Sequence, residues 1–152
     1  MSKILAQVDT VKALRQRLAR WRREKLKVAL VPTMGALHEG HLTLVDHANT
    51  LADRTVVSIF INPAQFAAGE DLTKYPRDLE GDLKKLSARK ANLAFVPTGE
   101  EMYPKDFATS VSVKGPATVA LEDRYRPHFF TGVATVVAKL LIQAQADFAV
   151  FG

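Results

Sequence analysis

The chain has 152 residues, 47% of them apolar, and a formal charge of +5. That is enough for one domain with its own core, and no apolar run approaches the ~18 residues that a membrane span needs. With no cysteine, disulfides and thiolate metal sites are excluded. The lack of cysteine fits a cytoplasmic location, and MSKILAQVDTVKAL lacks the layout of a secretory signal.

Helical spacing runs over residues 9–24, where Val11, Leu14, Leu18 and Trp21 form one apolar stripe. Around it crowd Lys12, Arg15, Arg17, Arg20, Arg22, Arg23, Lys25 and Lys27, opposed by Glu24 alone. Such a stripe attracts phosphate, but without base-stacking aromatics it reads as a solvated helix face rather than a nucleic-acid surface. Val28–Val31 is a short apolar strand that stops at Pro32. After a glycine turn, Leu44, Val45, Ala48, Leu51 and Ala52 mark a second helix. Thr55–Ile61, TVVSIFI, is β-branched and nearly all apolar, as a strand buried on both faces should be. Left uncovered, such a strand would favour association between copies.

A polar loop, PAQFAAGEDLTKYPRD, leads to a helix over Pro76–Lys90 with Leu79, Leu83 and Leu86 inward. Ala94–Val96 is another short strand, and the alternation in Thr109–Val113 predicts an edge strand or hairpin arm. Val133, Val136, Val137, Leu140, Leu141 and Ala144 form a further helical stripe, followed by a buried strand over Phe148–Phe151. Strands alternating with helices predict an α/β fold: a Rossmann-like, doubly wound, mostly parallel sheet with helices on both faces. Ligands collect at the carboxyl ends of such strands, where the strand order reverses. Both PTMGALHEGH and NPAQF fall at strand ends of that kind.

The first of these turns places His38 and His41 three residues apart at a helix start. A glycine-bearing loop entering a helix offers backbone N–H groups and a positive dipole end to an anion. Gly35 permits a sharp turn, and both imidazoles would lie on one face, able to donate a proton or a hydrogen bond to a phosphate chain. From local physics alone the same pair is equally consistent with two surface histidines. A zinc site of the metalloprotease kind is excluded, because it needs four-residue spacing.

His38-Glu39-Gly40-His41 after a strand and turn resembles the nucleotide-binding signature (the HIGH motif) of nucleotidylyltransferases and class I aminoacyl-tRNA synthetases. Three segments in order narrow this resemblance: PTMGALHEGHLTLV, SIFINPAQFAAGEDLTKYPRD, and the GVATVVAKL helix with its closing FG. Together, from about Val28 to Gly152, they resemble the pantoate–β-alanine ligase family. The resemblance implies ATP-dependent ligation of pantoate and β-alanine through a pantoyl adenylate, releasing AMP and pyrophosphate, with Mg2+ arriving as the ATP complex. It implies that Met34, Gly35, Ala36, Leu37, His38, Glu39, Gly40, His41 and Gly152 bind ATP, with His41 as the catalytic proton donor. Gln65 would bind pantoate and β-alanine, and Asn62 would bind pantoate, although Asn62-Pro63 is equally consistent with an ordinary strand-ending turn and Phe60 reads as a core aromatic rather than a pocket wall. No residue of this chain is expected to ligate a metal.

Two departures stand out. The family's His-Phe pair is displaced by one in Arg126-Pro127-His128-Phe129-Phe130-Thr131-Gly132, so His128 is left out of the site and Arg126 is kept as a cation near the substrates. The resemblance also implies a further ATP-binding segment and a C-terminal domain after Gly152. The expectation is therefore a single nucleotide-binding, N-terminal domain over 1–152, truncated and nearly inactive alone, and a homodimer at full length. Neither nucleic acid nor membrane is an expected partner. Two rival readings remain. A transferase onto a phosphate acceptor would want cations where Asn62 and Gln65 stand, and a non-catalytic nucleotide-binding module would need no acid pocket at all.

Overall fold

The computed structural model describes residues 5–66, 70–114 and 128–152. Its most apolar segments become its central strands. β2 (Val28–Thr33) and β3 (Arg54–Ile59) are buried along almost their whole length, so each needs a strand neighbour on both edges and a helix on both faces. Those neighbours are β4 (Leu93–Phe95) beside β3, β5 (Phe148–Ala149) beside β2, and β1 (Gln7–Val8) beyond β4. The order is β1-β4-β3-β2-β5, every pair parallel. The chain winds from β2 to β3 to β4 in one direction and then crosses back to place β5 on the far side of β2. The reversal falls between β2 and β5, and the doubly wound reading holds.

On one face lie α2 (Glu39–Leu51) and α3 (Leu79–Ala88), packing Leu42, Val45, Ala48 and Leu86 against Ala29, Val31 and Val57. On the other lie α1 (Val11–Arg23), the short α4 (Gly99–Met102) and α5 (Phe129–Ala144). These bury Leu14, Leu18, Met102, Val136 and Leu140 against Val28, Leu30, Val56 and Phe95. Part of the charge on α1 is structural. Arg22 donates to the carbonyls of Ala144 (2.6 Å) and Gln145 (2.8 Å), and Arg15 donates to that of Gln143. Cations thus sit where the last carbonyls of α5 lack helical partners.

Several boundaries differ from the sequence expectation. β2 does not stop at Pro32 but runs through it to Thr33, paired with β3 throughout. Proline is tolerated there because the ladder to β5 has already ended at Leu30–Ala149, where the Val150 N–H donates to the Leu30 carbonyl. The strand expected over Phe148–Phe151 is accordingly two residues long, and Phe151 is 52% exposed. In TVVSIFI, residues 55–60 are buried, with β2 along one edge and β4 against Val56–Ser58 on the other, so the strand is not left uncovered for association. α3 is shorter than 76–90, and Leu79 is exposed while Asp82 turns inward. Thr109–Val113 forms no strand; Val111 instead exchanges hydrogen bonds with the Thr135 hydroxyl on α5. β1 and α4 were not foreseen, being two and four residues long. No helix among the described residues is long and apolar enough to cross a membrane.

Candidate functional site

At the carboxyl end of β2 the chain must turn sharply into α2, and Gly35 and Ala36 do so with φ of 82° and 51°. This twist aims two consecutive N–H groups at one point. Ala36 and Leu37 donate to the two oxygens of the Asp82 carboxylate at 2.9 and 2.8 Å. Asp82 comes from α3, is 1% exposed, and lies 3.8 Å from the Lys85 ammonium, which donates to the Leu37 carbonyl. The turn is therefore closed by a built-in carboxylate, and two of the N–H groups expected to face an anion are already taken.

What remains for a ligand is the histidine pair. His38 is the N-cap of α2: its Nδ1 accepts from the Gly40 N–H at 3.1 Å, and its own N–H donates to Nδ1 of His41 at 3.3 Å. The two form a capping box built from imidazoles, with ring centroids 4.1 Å apart. At Gly40 a β-carbon would lie 2.9 Å from the His38 ring, so a larger residue there would displace that imidazole. An Nδ1 that accepts leaves the proton of a neutral imidazole on Nε2, so both rings present an Nε2–H donor. His41 is held below the ordinary 6.5, first by partial burial and then by the neighbouring His38, with Asp82 opposing. That direction favours the neutral ring, which offers a hydrogen bond from Nε2.

At the carboxyl end of β3, Asn62 begins a 3₁₀ turn over Pro63–Gln65. Asn62 is 1% exposed and all its hydrogen-bonding capacity is used. Oδ1 accepts from the Ala64 N–H (3.3 Å) and the Tyr103 hydroxyl (2.8 Å), while Nδ2 donates to Gln65 Oε1 (2.9 Å) and the Gly132 carbonyl (3.1 Å). Gly132 lets α5 seat directly on this turn, because a β-carbon there would stand 2.2 Å from the Ala64 carbonyl oxygen. Asn62 is therefore a scaffold for Gln65, and Gln65 is the half-buried residue of the pair.

Between these turns opens a cavity of about 530 Å³. Met34, Gly35 and Ala36 line it, with Phe60, Leu72 and Arg77 among the other walls; His38, His41, Asn62 and Gln65 stand outside it. Leu37 is buried beneath the turn. The Glu39 side chain is engaged by Arg89, the residue that ends α3, which also pairs with Asp46, so it is drawn toward α3 rather than to the histidines. Gly152 follows β5 and sits against α2, where a β-carbon on it would lie 2.9 Å from Leu44. His128 is the N-cap of α5 without a side-chain cap bond, and Arg126 falls outside the described residues. Tyr75 packs edge-on against Phe66, a loop anchor. Among the described residues no group of three or more His, Asp or Glu is placed to hold a metal ion.

Three contributors escape sequence reading: Asp82, Tyr103 and Gly132. Asp82 alone left a trace, since it shares a helix face with Leu79 and Leu86 at spacings of three and four. An acid on an apolar stripe signals a buried acceptor role.

The family model described as Pantoate-beta-alanine ligase matches residues 6–152. The pantothenate synthetase of Mesorhizobium japonicum is 60% identical over 145 residues, which cover 95% of this chain and 51% of that protein. That of a Bradyrhizobium species is 51% identical over 152 residues, or 54% of its length. Among solved structures, Thermus thermophilus pantothenate synthetase superposes with a TM-score of 0.87 at 48% identity, over 95% of this chain and 51% of that one. The pantoate-beta-alanine ligase of Francisella tularensis, complexed with beta-gamma ATP and beta-alanine, gives 0.85 at 32% identity, over 95% and 55%. The chain thus spans about half the length of the relatives it matches.

Proposed function

Because the chain belongs to the pantoate–β-alanine ligase family, we propose that it forms the nucleotide- and acid-binding part of an enzyme that joins pantoate to β-alanine at the expense of ATP. In this reading a carboxylate oxygen of pantoate attacks the α-phosphorus, the bond to the β-phosphate oxygen breaks, and pyrophosphate leaves with its Mg2+. The β-alanine amine then attacks the acyl carbon of pantoyl adenylate, and AMP departs as the amide forms and the nitrogen gives up one proton to solvent.

The observation that carries this reading is the imidazole capping box at the start of α2. Two Nε2–H donors, fixed by backbone contacts at Nδ1, stand at the positive end of a 13-residue helix beside the strand-order reversal. Donors fixed in advance stabilise charge as it builds on phosphate oxygens without reorganising during the step. His41 acts as the donor nearest the reaction and His38 as its partner. Gln65, held by Asn62, takes the pantoate end. Neutral amides there suit a hydroxy acid better than the phosphate acceptor of a nucleotidyl transferase. Residues 1–152 act in this as one nucleotide-binding unit, with Mg2+ carried by ATP rather than by protein ligands and homodimerisation left to the longer assembly.

Calorimetric titration of this chain with Mg-ATP and with pantoate tests the assignment. His41→Ala is expected to weaken ATP about tenfold or more, as loss of one charge-assisted donor does, and Gln65→Ala to weaken pantoate. Binding of either ligand that ignores its substitution overturns the assignment. The chain alone is expected to turn over far more slowly than a relative of twice its length, and equal rates would refute that division of labour.

A further inference from the structure

The polarity of the Gln65 amide is set by groups that cannot exchange roles. A backbone N–H can only donate and a backbone carbonyl can only accept. The Ala64 N–H points at one end of the Asn62 amide and the Gly132 carbonyl at the other, so Oδ1 faces Ala64 and Nδ2 faces Gly132. The second Nδ2 proton goes to Gln65, whose near atom must then be the acceptor Oε1. Reversing Gln65 would set two amino groups against each other at 2.9 Å.

The remaining lone pair of Oδ1 is filled by Tyr103, whose hydroxyl donates at 2.8 Å. This tyrosine is held on three sides. Its ring packs edge-on against Phe107 at 5.4 Å, meets Phe60 at 6.3 Å, and lies under the Lys139 ammonium at 5.5 Å. Burial raises its hydroxyl above the ordinary range for tyrosine, so the proton it donates stays in place at neutral pH.

We infer that Tyr103 is a positioning residue that, through Asn62, fixes Gln65 with its amino group as the ligand-facing end. At its amino end Gln65 therefore donates, and what it meets there is an acceptor oxygen of an acid such as a carboxylate or hydroxyl oxygen. Its meaning for substrate rests on the proposed acid-binding role of Gln65, whereas the orientation itself stands apart from any ligand.

The test uses the isotope-labelled 152-residue chain. Without ligand, a scalar coupling across the hydrogen bond from Asn62 Nδ2 to the Gln65 side-chain carbonyl carbon is expected; its absence overturns the orientation. Tyr103→Phe keeps the ring and its packing but removes the donor. It is expected to speed exchange of the Asn62 side-chain amide protons about fivefold, the equivalent of one net hydrogen bond, with the rest of the amide spectrum unmoved. Unchanged exchange removes Tyr103 from the relay. Pantoate titration of the same variant is expected to show a similar fold loss in affinity. Wild-type affinity alongside faster exchange would count against the positioning role, and a chain that shows the coupling but fails to bind pantoate at any concentration would instead count against pantoate as the occupant.

Discussion

The turn after β2 and the turn after β3 each hold a polar side chain over the same end of the sheet, but they are closed by different means. The first borrows a carboxylate, Asp82, from a helix 45 and 46 positions away. The second closes on its own first residue, Asn62, and is pinned from outside by a backbone carbonyl and a tyrosine. One site therefore depends on a single buried charge, the other on several neutral bonds whose directions agree. A single charge makes the tighter clamp and the more brittle one.

Asp82→Ala should have the largest effect. It strands two buried or half-buried N–H groups that now share a carboxylate, and hydrogen bonds to charged groups are worth ~1.5–3 kcal/mol each. Urea unfolding is expected to show a loss of about 3–5 kcal/mol, and a loss below about 1 would mean that the turn holds itself without the clamp. Gly132→Ala probes the second turn. The new β-carbon must push α5 off Ala64, at a cost of about 1–3 kcal/mol, with chemical-shift changes concentrated at residues 62–65. Changes spread evenly over the chain would show that α5 and that turn are not locally coupled. Smaller again is Gly35→Ala, where a left-handed backbone costs an L residue roughly 1–2 kcal/mol; a neutral result would mean that this turn relaxes.

Acid should separate the two turns without mutation. In the folded chain His41 takes a proton less readily than a free histidine at 6.5, so the folded state binds fewer protons. Its contribution to stability is complete above pH 6.5 and is lost as pH falls through the lower folded value. A protonated Nδ1 also cannot accept from the His38 N–H. Amide protection in the first turn of α2, measured against the intrinsic exchange rate at each pH, should fall below pH 6.5 while residues 62–65 keep theirs. A His41 titration midpoint at or above 6.5 would remove the basis of this contrast.

The long periodic elements of the fold were legible because their burial is written in spacing. The stripe Leu14-Leu18-Trp21 and the run TVVSIF lie where their patterns put them. β1 and α4 carry too few residues to show a period, and Thr109–Val113 shows an alternation that no sheet edge came to use. At the site, His38 and His41 could be found from one turn and its glycines. Their polarity could not, since it depends on which nitrogen meets a backbone N–H. Asn62 invited a ligand role because an amide after a strand looks available, and only the arrival of Gly132, 70 positions on, shows that it is spent.

Pro32 sits in β2 with its edge toward β5, two residues beyond the last β2–β5 pair and still inside the β2–β3 ladder. A residue with an N–H there would be the next rung toward β5, and an imino acid has none to give. The two strands part at this point for a covalent reason rather than a packing one. Such a wedge behaves as a stop in a zipper. Repacking the lining can change what fits the crevice, but the crevice has no rung with which to close itself, and its width is insulated from the sequence drift that reshapes its walls.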